Sequence, residues 1–448
     1  MKLAEPILTK RIPCFPHADP KDRHTVLYDE FAKTGGYKAL EKALDLEPAQ
    51  VLAIVKDAVL RGRGGAGFPA GLKWSFLAPE DGKGSRYLCI NCDEAEPGTF
   101  KDRLLVDFDP HLILEGIAVA CWACKLDVAY FFIRGEYHHQ ARVMERAIQE
   151  AYAAGIFGTQ GLMRGKKPFA VECYVHRSAG AYICGEETGL LEAIEGKRGW
   201  PRVKPPFPAV KGLFGRPTIV NNVETLAAVP SIIEHGAAWW KSIGVESSFG
   251  GLGSYGPKLM GVSGHVNRPG CYEAPLGIPL STLVNEYCGG MRGGKRFKGA
   301  IAGGVSMGVL GTDQFDAAMD FEIGRRCDLL GLGTACPTIF DEDTDMVAIA
   351  RNCARFFMNE SCGQCTPCRD GSGWIYKLLT RIERGGATTR DLDVLLEVAA
   401  SMGLSEGTTI CGLADGNNWL VRTIVTKFRS EFEGRVKPHF IPVHLAAR

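Results

Sequence analysis

Three cysteines lie at strict intervals of three residues in the segment SCGQCTPCRDG at 361–371. The spacing of Cys362, Cys365 and Cys368 is typical of a segment that binds three corners of a [4Fe–4S] cluster. Structural zinc sites instead use two well-separated pairs of Cys or His ligands. A disulfide is disfavoured, because thiols in a chain without a signal segment stay reduced. The pattern predicts an iron–sulfur site that lacks its fourth ligand within the segment.

The fourth ligand must come from elsewhere, because Ser372 stands where a bacterial ferredoxin has its next cysteine. Cys411, in TTICGLADG, is the only cysteine after residue 368 and precedes a predicted helix. Cys353 is closer in sequence, but it falls on the apolar face of a predicted helix and suits a packed thiol. We therefore predict Cys411 as the fourth ligand. The other cysteines are mostly scattered and are predicted to be buried thiols, at positions such as 14, 89, 173, 271 and 327.

A glycine-rich loop, RGRGGAGFPAGLKW, occupies residues 61–74. A dinucleotide fingerprint needs a strand before the glycines and a helix after them, whereas here a helix precedes and Pro69 follows, so a standard Rossmann assignment fails. Glycines still allow backbone N–H groups to approach a phosphate or a flat ring. A tight surface turn is the alternative, but the glycine density and nearby cations favour a ligand loop. Its G-x-G-x-x-G glycines are Gly62, Gly64 and Gly67, and its cations are Arg61, Arg63 and Lys73.

Two further loops follow predicted strands. The loop NCDEAEPGTFKDR, at 91–103, lies at a strand end, where α/β proteins usually bind ligands. The loop SAGAYICGEETG, from residue 178, enters a helix whose N-terminus would offer free N–H groups to an anion or a carbonyl. A solvated acidic turn and an ordinary capped helix start are the alternatives. The polar residues concerned are Asn91, Asp93, Glu94 and Glu96 in the first loop, and Gly180, Gly185, Glu186, Glu187 and Thr188 in the second.

Two shorter segments add hydrogen-bonding and stacking groups. TIVNNVETL pairs Asn221 and Asn222, which could bond a flavin edge or a ribityl chain, with an Asn turn as the alternative. The Pro-rich segment RVKPPFPAVKG presents Lys204 and Phe207, with a linker as the alternative. A cluster moves one electron at a time, so a neighbouring loop for a flat phosphorylated cofactor favours a flavin, which takes two electrons and releases one.

Hydrophobic periodicity places these segments on alternating strands and helices, which predicts an α/β domain up to about residue 240. A Gly/Ser-rich linker and a small α+β module follow, and from about residue 344 the pattern is helical, with Asp343 or Thr344 as the first cap and four helices that form a compact bundle. The predicted domains are 1–240, 241–340 and 341–448. The predicted strands are 87–91, 128–136, 169–177, 258–266, 270–274 and 297–304. The main predicted helices are 111–125, 139–155, 280–290, 372–384, 390–402 and 414–431.

Charge and composition exclude several classes of function. Lys plus Arg is 52 and Asp plus Glu is 51, so the net charge is 52 − 51 = +1, without a basic footprint for nucleic acid or a membrane surface. The most apolar stretch, 112–133, is interrupted by Glu115, Lys125 and Asp127, so no membrane insertion is expected. The N-terminal segment has neither signal-peptide nor transit-peptide character, which predicts a cytosolic protein. A length of 448 residues suggests two to four domains.

Six segments together resemble the NADH-oxidising flavoprotein subunit of respiratory complex I. They occur in that family's order, over about residues 55–415, and read RGRGGAGFPAGLKW, NCDEAEPGTFKDR, GAYICGEET, KPPFPA, NNVETL and ESCGQCTPCRDG. The resemblance implies an FMN in the first domain, cradled by the glycine loop. Its implied contacts are Gly62, Arg63, Gly64 and Lys73 on one side, with Asn91, Asp93, Glu94, Tyr182, Gly185, Glu186, Glu187, Asn221 and Asn222 around the ring and the ribityl phosphate.

The same resemblance implies that NADH stacks its nicotinamide on the flavin and its adenine between Phe rings. It also implies a ubiquitin-like middle module and a helical bundle whose cluster is held by Cys362, Cys365, Cys368 and Cys411. Cys92 and Gly189 stand where the family often has Ala. The implied nucleotide contacts are Gly65, Ala66, Phe68, Phe76, Glu96, Lys204 and Phe207.

The mechanism implied by the resemblance is hydride transfer from NADH C4 to FMN N5, followed by single electrons through the cluster. The carboxylates of Glu94, Glu96 and Glu187 would tune the charge near the nicotinamide and disfavour a bound product. The implied partners are a thioredoxin-like [2Fe–2S] subunit and a large multi-cluster iron–sulfur subunit, through which the chain would sit on the inner face of a membrane. The same module in an NAD-linked hydrogenase or formate dehydrogenase, and a zinc-stabilised scaffold without redox activity, are the alternatives.

Overall fold

A four-stranded parallel sheet organises the first part of the chain in this computed structural model, which describes residues 3–13, 19–159 and 170–439. Cys14 and the first residue of the predicted strand 169–177 lie outside the described residues. The sheet order is β3–β2–β1–β4, and each strand follows a predicted apolar run closely. The strands are β1 (Tyr87–Cys92), β2 (Val128–Ile133), β3 (Glu172–Arg177) and β4 (Thr218–Asn222).

Both faces of this sheet are covered, because side chains alternate along each strand. Leu88 and Ile90 pack on one side with the central helices, whereas Cys89 and Val220 pack on the other side with residues of the C-terminal helices. The helices of this part are α1 (Tyr28–Lys33), α2 (Lys38–Leu44), α3 (Pro48–Asp57), α4 (Ala70–Ser75), α5 (Asp102–Phe108), α6 (Pro110–Cys124), α7 (His138–Ala153), α8 (Glu187–Ile194), α9 (Pro208–Lys211), α10 (Val223–His235) and α11 (Ala237–Lys241).

The middle of the chain forms a second, mixed sheet around its own apolar core. The predicted linker 241–257 contains a short antiparallel pair, β5 (Gly244–Val245) and β6 (Ser254–Tyr255). The five-stranded sheet has the order β10–β9–β11–β7–β8. Its elements are β7 (Pro257–Gly264), β8 (Gly270–Pro275), α12 (Leu280–Thr282), β9 (Phe297–Ile301), β10 (Val309–Leu310), α13 (Ile323–Cys327) and β11 (Thr338–Asp341).

The last part of the chain is helical and joins a core that also contains one face of the first sheet. Asp345 caps its first helix by accepting from the N–H groups of Val347 and Ala348, so the predicted caps Asp343 and Thr344 were wrong by one or two positions. The predicted helix 372–384 begins earlier, since Pro367 is tolerated in a first turn. The elements are α14 (Met346–Glu360), α15 (Thr366–Glu383), β12 (Ala387–Thr388), α16 (Thr389–Ala400), α17 (Leu413–Lys427), α18 (Arg429–Glu433) and β13 (Val436–Lys437).

Two details of the middle part differ from the sequence predictions. The predicted helix 280–290 consists of α12 followed by a π-helical turn, Leu283–Tyr287, rather than one α-helix. Strand β11 was not predicted, because its apolar run is only four residues long and its pairing with β7 and β9 is non-local. Among the described residues, no helix is long and apolar enough to cross a membrane.

The close packing of α6 on α10 gives a test of the first core. A Cβ at Gly116 would lie 2.1 Å from the carbonyl oxygen of Leu226, so Gly116→Ala forces the two helices apart. We expect a loss of about 3 kcal/mol in the free energy of unfolding, measured by urea titration. Gly373→Ala in α15 is the matched control, because within the described residues a Cβ there meets nothing within 4 Å. The control should gain about 0.5–1 kcal/mol from helix propensity, and equal effects in both variants would contradict the packing argument.

Candidate active site

A cavity of about 590 Å³ lies where the glycine loop, the end of β1, the middle module and the start of α17 meet. Its position at the carboxyl ends of parallel strands is the usual ligand position in open α/β sheets. Twelve residues predicted from the sequence line it: Gly64, Gly65, Ala66, Asn91, Asp93, Glu94, Glu96, Tyr182, Gly185, Glu186, Asn222 and Cys411.

The glycine loop connects α3 to α4 and is closed at its base by the Gly62 N–H, which donates to Phe68 O at 2.9 Å. Gly65 lines the cavity at φ +137°, and among the described residues no atom lies within 4 Å of its ideal Cβ position. Gly64 lies against Asn222, since its Cβ would be 3.0 Å from the Asn222 Cβ. The loop therefore presents bare backbone to the cavity, as the sequence predicted for a ligand loop.

Arg63 has a different environment from the one predicted. Its side chain is fully buried behind the loop, where the guanidinium donates to Tyr255 O at 2.7 Å and its N–H donates to Thr225 Oγ1 at 2.8 Å. Arg61 lines the cavity instead, with its guanidinium 4.4 Å from the Phe321 ring centroid. This placement gives no support to a side-chain contact between Arg63 and FMN.

Glu94 is held in a fixed orientation at the cavity wall. Its Oε1 accepts from the Lys101 and Asp102 N–H groups at 2.8 Å each, and its Oε2 accepts from Tyr137 OH at 3.0 Å. Burial and nearby Asp102 raise the pKa of Glu94 to about 7, although Lys101 and the backbone donors oppose the shift. The carboxyl group is therefore poised to change protonation near neutral pH.

Asp93 is a buried carboxyl group that faces the cavity. Within the described ranges, neither of its carboxylate oxygens has a hydrogen-bond partner. Burial raises its pKa to about 7, opposed by Arg134 and supported by Glu136 and Glu360. An unsatisfied buried carboxyl group is costly, so Asp93 is suited to an N–H donor that a ligand supplies.

Glu96 ties the first sheet to the middle module. Its Oε1 accepts from the Ser306 N–H at 2.8 Å, and its Oε2 accepts from Tyr182 OH at 2.5 Å. The Tyr182 ring in turn packs edge-on against Phe356 of α14, at 5.0 Å between centroids. Glu96 and Tyr182 therefore form one hydrogen-bonded unit, which joins three parts of the chain at the cavity.

The paired asparagines differ in exposure to the cavity. Asn222 lines it, and its Nδ2 donates to Asp102 Oδ2 at 2.7 Å while its Oδ1 accepts from Lys101 Nζ at 3.3 Å. Asn221 is buried behind the wall, where its Oδ1 accepts from Trp74 Nε1 at 2.8 Å. Asn91 Nδ2 donates to Gly185 O at 2.8 Å and so fixes the turn that carries Tyr182.

The start of α8 corrects one sequence expectation. The Glu186 Oε2 accepts from the N–H groups of Thr188 and Gly189, at 2.7 and 3.0 Å, so these N–H groups are not free for a ligand. Lys204 Nζ bridges Glu186 Oε1 at 3.0 Å and Glu187 Oε1 at 3.2 Å. Burial alone would raise the pKa of Glu187, but Lys73 and Lys204 lower it.

Exposed aromatic rings lie on the outer side of the glycine loop. Phe68 and Phe76 are 43% and 55% exposed, with ring centroids 6.2 Å apart, and Phe207 is 57% exposed. Large rings exposed together are unusual for a free surface and are suited to stacking on a planar base. The adenine role of these three rings remains a prediction.

The predicted cluster ligands come together at a second, small cavity. Cys362, Cys365, Cys368 and Cys411 all line it. Cys365 caps α15, Cys368 lies in the first turn of that helix, and Cys411 lies just before α17, so two helix N-termini point their positive ends at the thiols. Burial raises the pKa of Cys411 to about 12, so this thiol ionises only when a metal replaces its proton.

The arrangement of these thiols distinguishes between kinds of metal site. Within the described residues, no group of three or more His, Cys, Asp or Glu side chains converges on one point that could hold a single ion. Four thiols around one cavity without such convergence suit a [4Fe–4S] cluster, in which each iron takes one thiolate, better than a zinc ion. The predicted alternative Cys353 is buried in the apolar core formed by the C-terminal helices and the first sheet, as expected of a packed thiol.

The two cavities share a wall. Ile183, Cys411 and Leu413 line both of them, so a single layer of residues separates the large cavity from the thiols. On the outer side of the cluster loop, Trp200 Nε1 donates to Cys362 O at 3.1 Å, and its ring covers that loop. Sequence reasoning did not identify Trp200.

A glycine-rich wall of the middle module was also missed. No local pattern marked these residues, because the pairing of β9 with β11 brings two separate glycine segments together. The only available signal was the recurrence of glycines after apolar runs, in AIAGG and LLGLG. The missed lining residues include Gly303, Ser306, Met307, Gly331, Leu332, Gly333, Thr334, Lys101 and Asp102.

These features fit both predicted groups. Bare backbone at Gly64 and Gly65, an unpartnered acceptor at Asp93 and a cavity of about 590 Å³ suit a planar phosphorylated cofactor such as FMN. Four thiols of the predicted type around the small cavity suit a [4Fe–4S] cluster.

Comparison with known proteins identifies the same two regions. A family model described as the Nuo51 FMN-binding domain matches residues 55–231, and one described as the NADH-ubiquinone oxidoreductase-F iron-sulfur binding region matches residues 348–435. An SLBB domain model matches residues 260–310. FMN and iron–sulfur binding, first predicted from the residues, is therefore confirmed by family models at the expected positions.

Similar proteins cover nearly the whole chain. An NADH-quinone oxidoreductase-F protein of Rhizobium meliloti is 45% identical over 441 residues, which are 98% of this chain and 100% of that protein. The mitochondrial NADH dehydrogenase (ubiquinone) flavoprotein 1 of Dictyostelium discoideum is 45% identical, over 92% of this chain and 84% of that protein. A crystal structure of an NAD⁺-reducing [NiFe]-hydrogenase in the air-oxidized state contains a similar chain, with a TM-score of 0.78, 38% identity and coverage of 94% of this chain and 69% of that one. On this similarity, the chain belongs to the NADH-quinone oxidoreductase-F family.

Proposed function

We propose that the chain oxidises NADH within an NADH:quinone oxidoreductase, with FMN in the large cavity and a [4Fe–4S] cluster in the small one. Bound FMN would supply hydride acceptance from NADH and release of electrons one at a time. The observation that carries the proposal is the shared wall, because Ile183, Cys411 and Leu413 face both cavities. Such a wall keeps a two-electron site and a one-electron site adjacent.

The cavity residues would hold and orient the cofactor. Gly64 and Gly65 offer close backbone approach, Asp93 offers an unpartnered acceptor, and Lys73 adds a cation, with its Nζ 3.2 Å from Val220 O. Glu94, Glu96 and Glu187 would tune the charge near the nicotinamide without acting as strong acids or bases. Positioning and electrostatics are what a hydride transfer requires of the protein.

The nucleotide would bind on the outer side of the glycine loop. Phe68, Phe76 and Phe207 expose their rings there and would stack on adenine, while Gly65, Ala66, Glu96 and Lys204 would contact the rest of NADH. The Lys204 cation already bridges Glu186 and Glu187, so it sets the charge at this entrance.

We also infer a division into three units, 1–240, 241–340 and 341–448, of which the second is a ubiquitin-like module. A separate apolar core within residues 260–339 supports the middle unit. Its antiparallel hairpin β7–β8, the helical segment that follows and the mixed sheet are consistent with such a module. The helical unit shares its core with the first sheet, so we expect these two to depend on each other for stability.

The proposed partners are a thioredoxin-like [2Fe–2S] subunit and a large multi-cluster iron–sulfur subunit. Through them the chain would lie in the cytoplasm, peripheral to the inner face of a membrane that contains the quinone. A second candidate is the diaphorase part of an NAD-linked hydrogenase, favoured by the similarity to a hydrogenase chain. Full coverage of the Rhizobium meliloti protein, against 69% of the hydrogenase chain, favours the first. Identification of copurifying subunits by mass spectrometry distinguishes the two.

The direct test uses the full chain purified without oxygen. We expect flavin absorbance, iron and acid-labile sulfide, and bleaching of the flavin when NADH is added. Zinc in place of iron, together with no flavin, would instead support a non-redox scaffold.

Removal of Cys411 tests the cluster. In Cys411→Ala we expect loss of iron and sulfide with FMN retained, because the thiol lines the small cavity and the flavin contacts lie elsewhere. Elemental analysis and flavin absorbance measure the two. Cys353→Ala is the control, since this buried thiol lies in the apolar core. A Cys411→Ala protein with its full iron content would show that the fourth ligand is another residue.

Removal of one exposed ring tests the nucleotide side. Phe207→Leu should raise the KM for NADH several-fold while leaving the FMN content unchanged, because an aromatic stack is worth about 0.5–1.5 kcal/mol. Steady-state kinetics with an artificial electron acceptor measure the change. The control is Phe214→Leu, whose ring is 51% exposed but packs on Tyr87. An unchanged KM in Phe207→Leu would remove this ring from the proposed nucleotide site.

Asp93 gives a pH-dependent prediction, because a ligand-facing carboxyl group without a protein partner costs stability. Its folded pKa of about 7 lies above the ordinary value of 3.8, so the cost is absent near pH 4, grows as pH rises and is complete above pH 7. Asp93→Asn should therefore unfold with a free energy higher by about 3 kcal/mol at pH 8, with the gain vanishing toward pH 4. Urea titrations of both proteins without added FMN measure it, and a pH-independent difference would contradict it.

A further inference from the structure

Six charged side chains lie buried directly behind the cavity, and we call them the buried charge network. Each is at most 4% exposed, although charged residues of this kind are rarely buried unless paired. Three are cations and three are carboxylates. The members are Arg63, Lys101, Lys258, Glu94, Asp102 and Glu224.

The network crosses from the middle module to the cavity. Lys258 Nζ, on β7, lies 2.5 Å from Glu224 Oε2 in the first turn of α10, and Glu224 Oε2 lies 3.0 Å from Lys101 Nζ. Lys101 Nζ also lies 2.7 Å from Asp102 Oδ1. Lys101 and Asp102 line the cavity, whereas Glu224 and Lys258 form the layer behind them.

Lys101 uses its ammonium group entirely within the protein. The Asp102 and Glu224 carboxylates and Asn222 Oδ1 surround its nitrogen, so its three N–H donors are occupied. Lys101 therefore acts on a bound cofactor through its field and through the orientation of Asn222 and Asp102. Lys258 acts one step further back, through the charge that it places beside Glu224.

The charge of the network is positive or close to neutral around pH 7. Burial alone would raise the pKa of Glu224, but Lys258, Lys101 and Arg63 lower it to about 2, so Glu224 is ionised. Burial raises the pKa of Glu94 to about 7, so this carboxyl group is only partly ionised. Three cations therefore face two full negative charges and one partial one.

We propose that the buried charge network sets the reduction potential of the FMN in the cavity, with Lys258 as a positioning residue that acts through Glu224 and Lys101. This inference rests on the proposed function, because it requires FMN at the cavity. A buried positive charge stabilises the reduced flavin, which has gained two electrons, relative to the oxidised one. The effect reaches across two layers of side chains because buried charges are weakly screened.

The test compares the full chain loaded with FMN in four forms: wild type, Lys258→Met, Glu224→Gln and the double variant. Redox titration followed by flavin absorbance gives the two-electron midpoint potential of each. We expect a more negative potential in K258M, a more positive potential in E224Q, and a value near wild type in the double variant. Lys298→Met is the control, because this cation lies in the same module but pairs with Glu431, at 2.7 Å. Its flavin potential should equal that of wild type.

Other results separate a structural role from an electrostatic one. If K258M and E224Q shift the potential in the same direction, or leave it unchanged while FMN stays bound, the network only stabilises the fold and the inference is wrong. If K258M does not fold, E224Q and the double variant still differ by the Lys258 charge alone, and the double variant must have the more negative potential. A wild-type chain that binds no FMN would instead overturn the proposed function.

Discussion

The contact between the turn at Tyr182–Gly185 and the start of α17 fixes the distance between the two cavities. Ile183 comes from that turn, and Cys411 and Leu413 come from the beginning of the last long helix. Electron exchange falls steeply when carriers move apart, so this contact has to be rigid. It is rigid because the second face of the first sheet and the C-terminal helices share one apolar core. The cluster unit is thereby part of the same packing as the flavin unit.

Two carboxylates attach the middle module to the same place. Glu96 accepts from Ser306, and Glu224 pairs with Lys258, so both bonds cross from the first sheet region to the module. Their partners are buried, and a buried carboxylate that loses its partner costs several kcal/mol. The module is therefore held in one orientation at the cavity, where its glycines at 303 and 331–333 complete the wall.

The sequence was most informative where a chemical requirement restricts residue type and spacing. Cys362, Cys365 and Cys368 predicted a cluster, and the search for a fourth ligand found Cys411, which lines the same cavity. Roles decided by tertiary packing could not be predicted. Glu186 caps α8 itself, and Arg63 turns into the core toward Tyr255 instead of the cavity. Nothing in the local pattern around Lys258 predicts burial, because its partner Glu224 is 34 residues away.

The least favourable group in the cavity explains why such a site is not optimised for stability. Among the described residues, Asp93 has no hydrogen-bond partner for either oxygen, and Glu94 beside it also has a raised pKa. A protein under selection for stability alone would pair or remove these groups. Retaining them is consistent with a ligand that supplies the missing donors, since binding then recovers the cost of desolvation. The site is therefore more stable with its cofactor than without it, which couples flavin binding to the folding of the first domain.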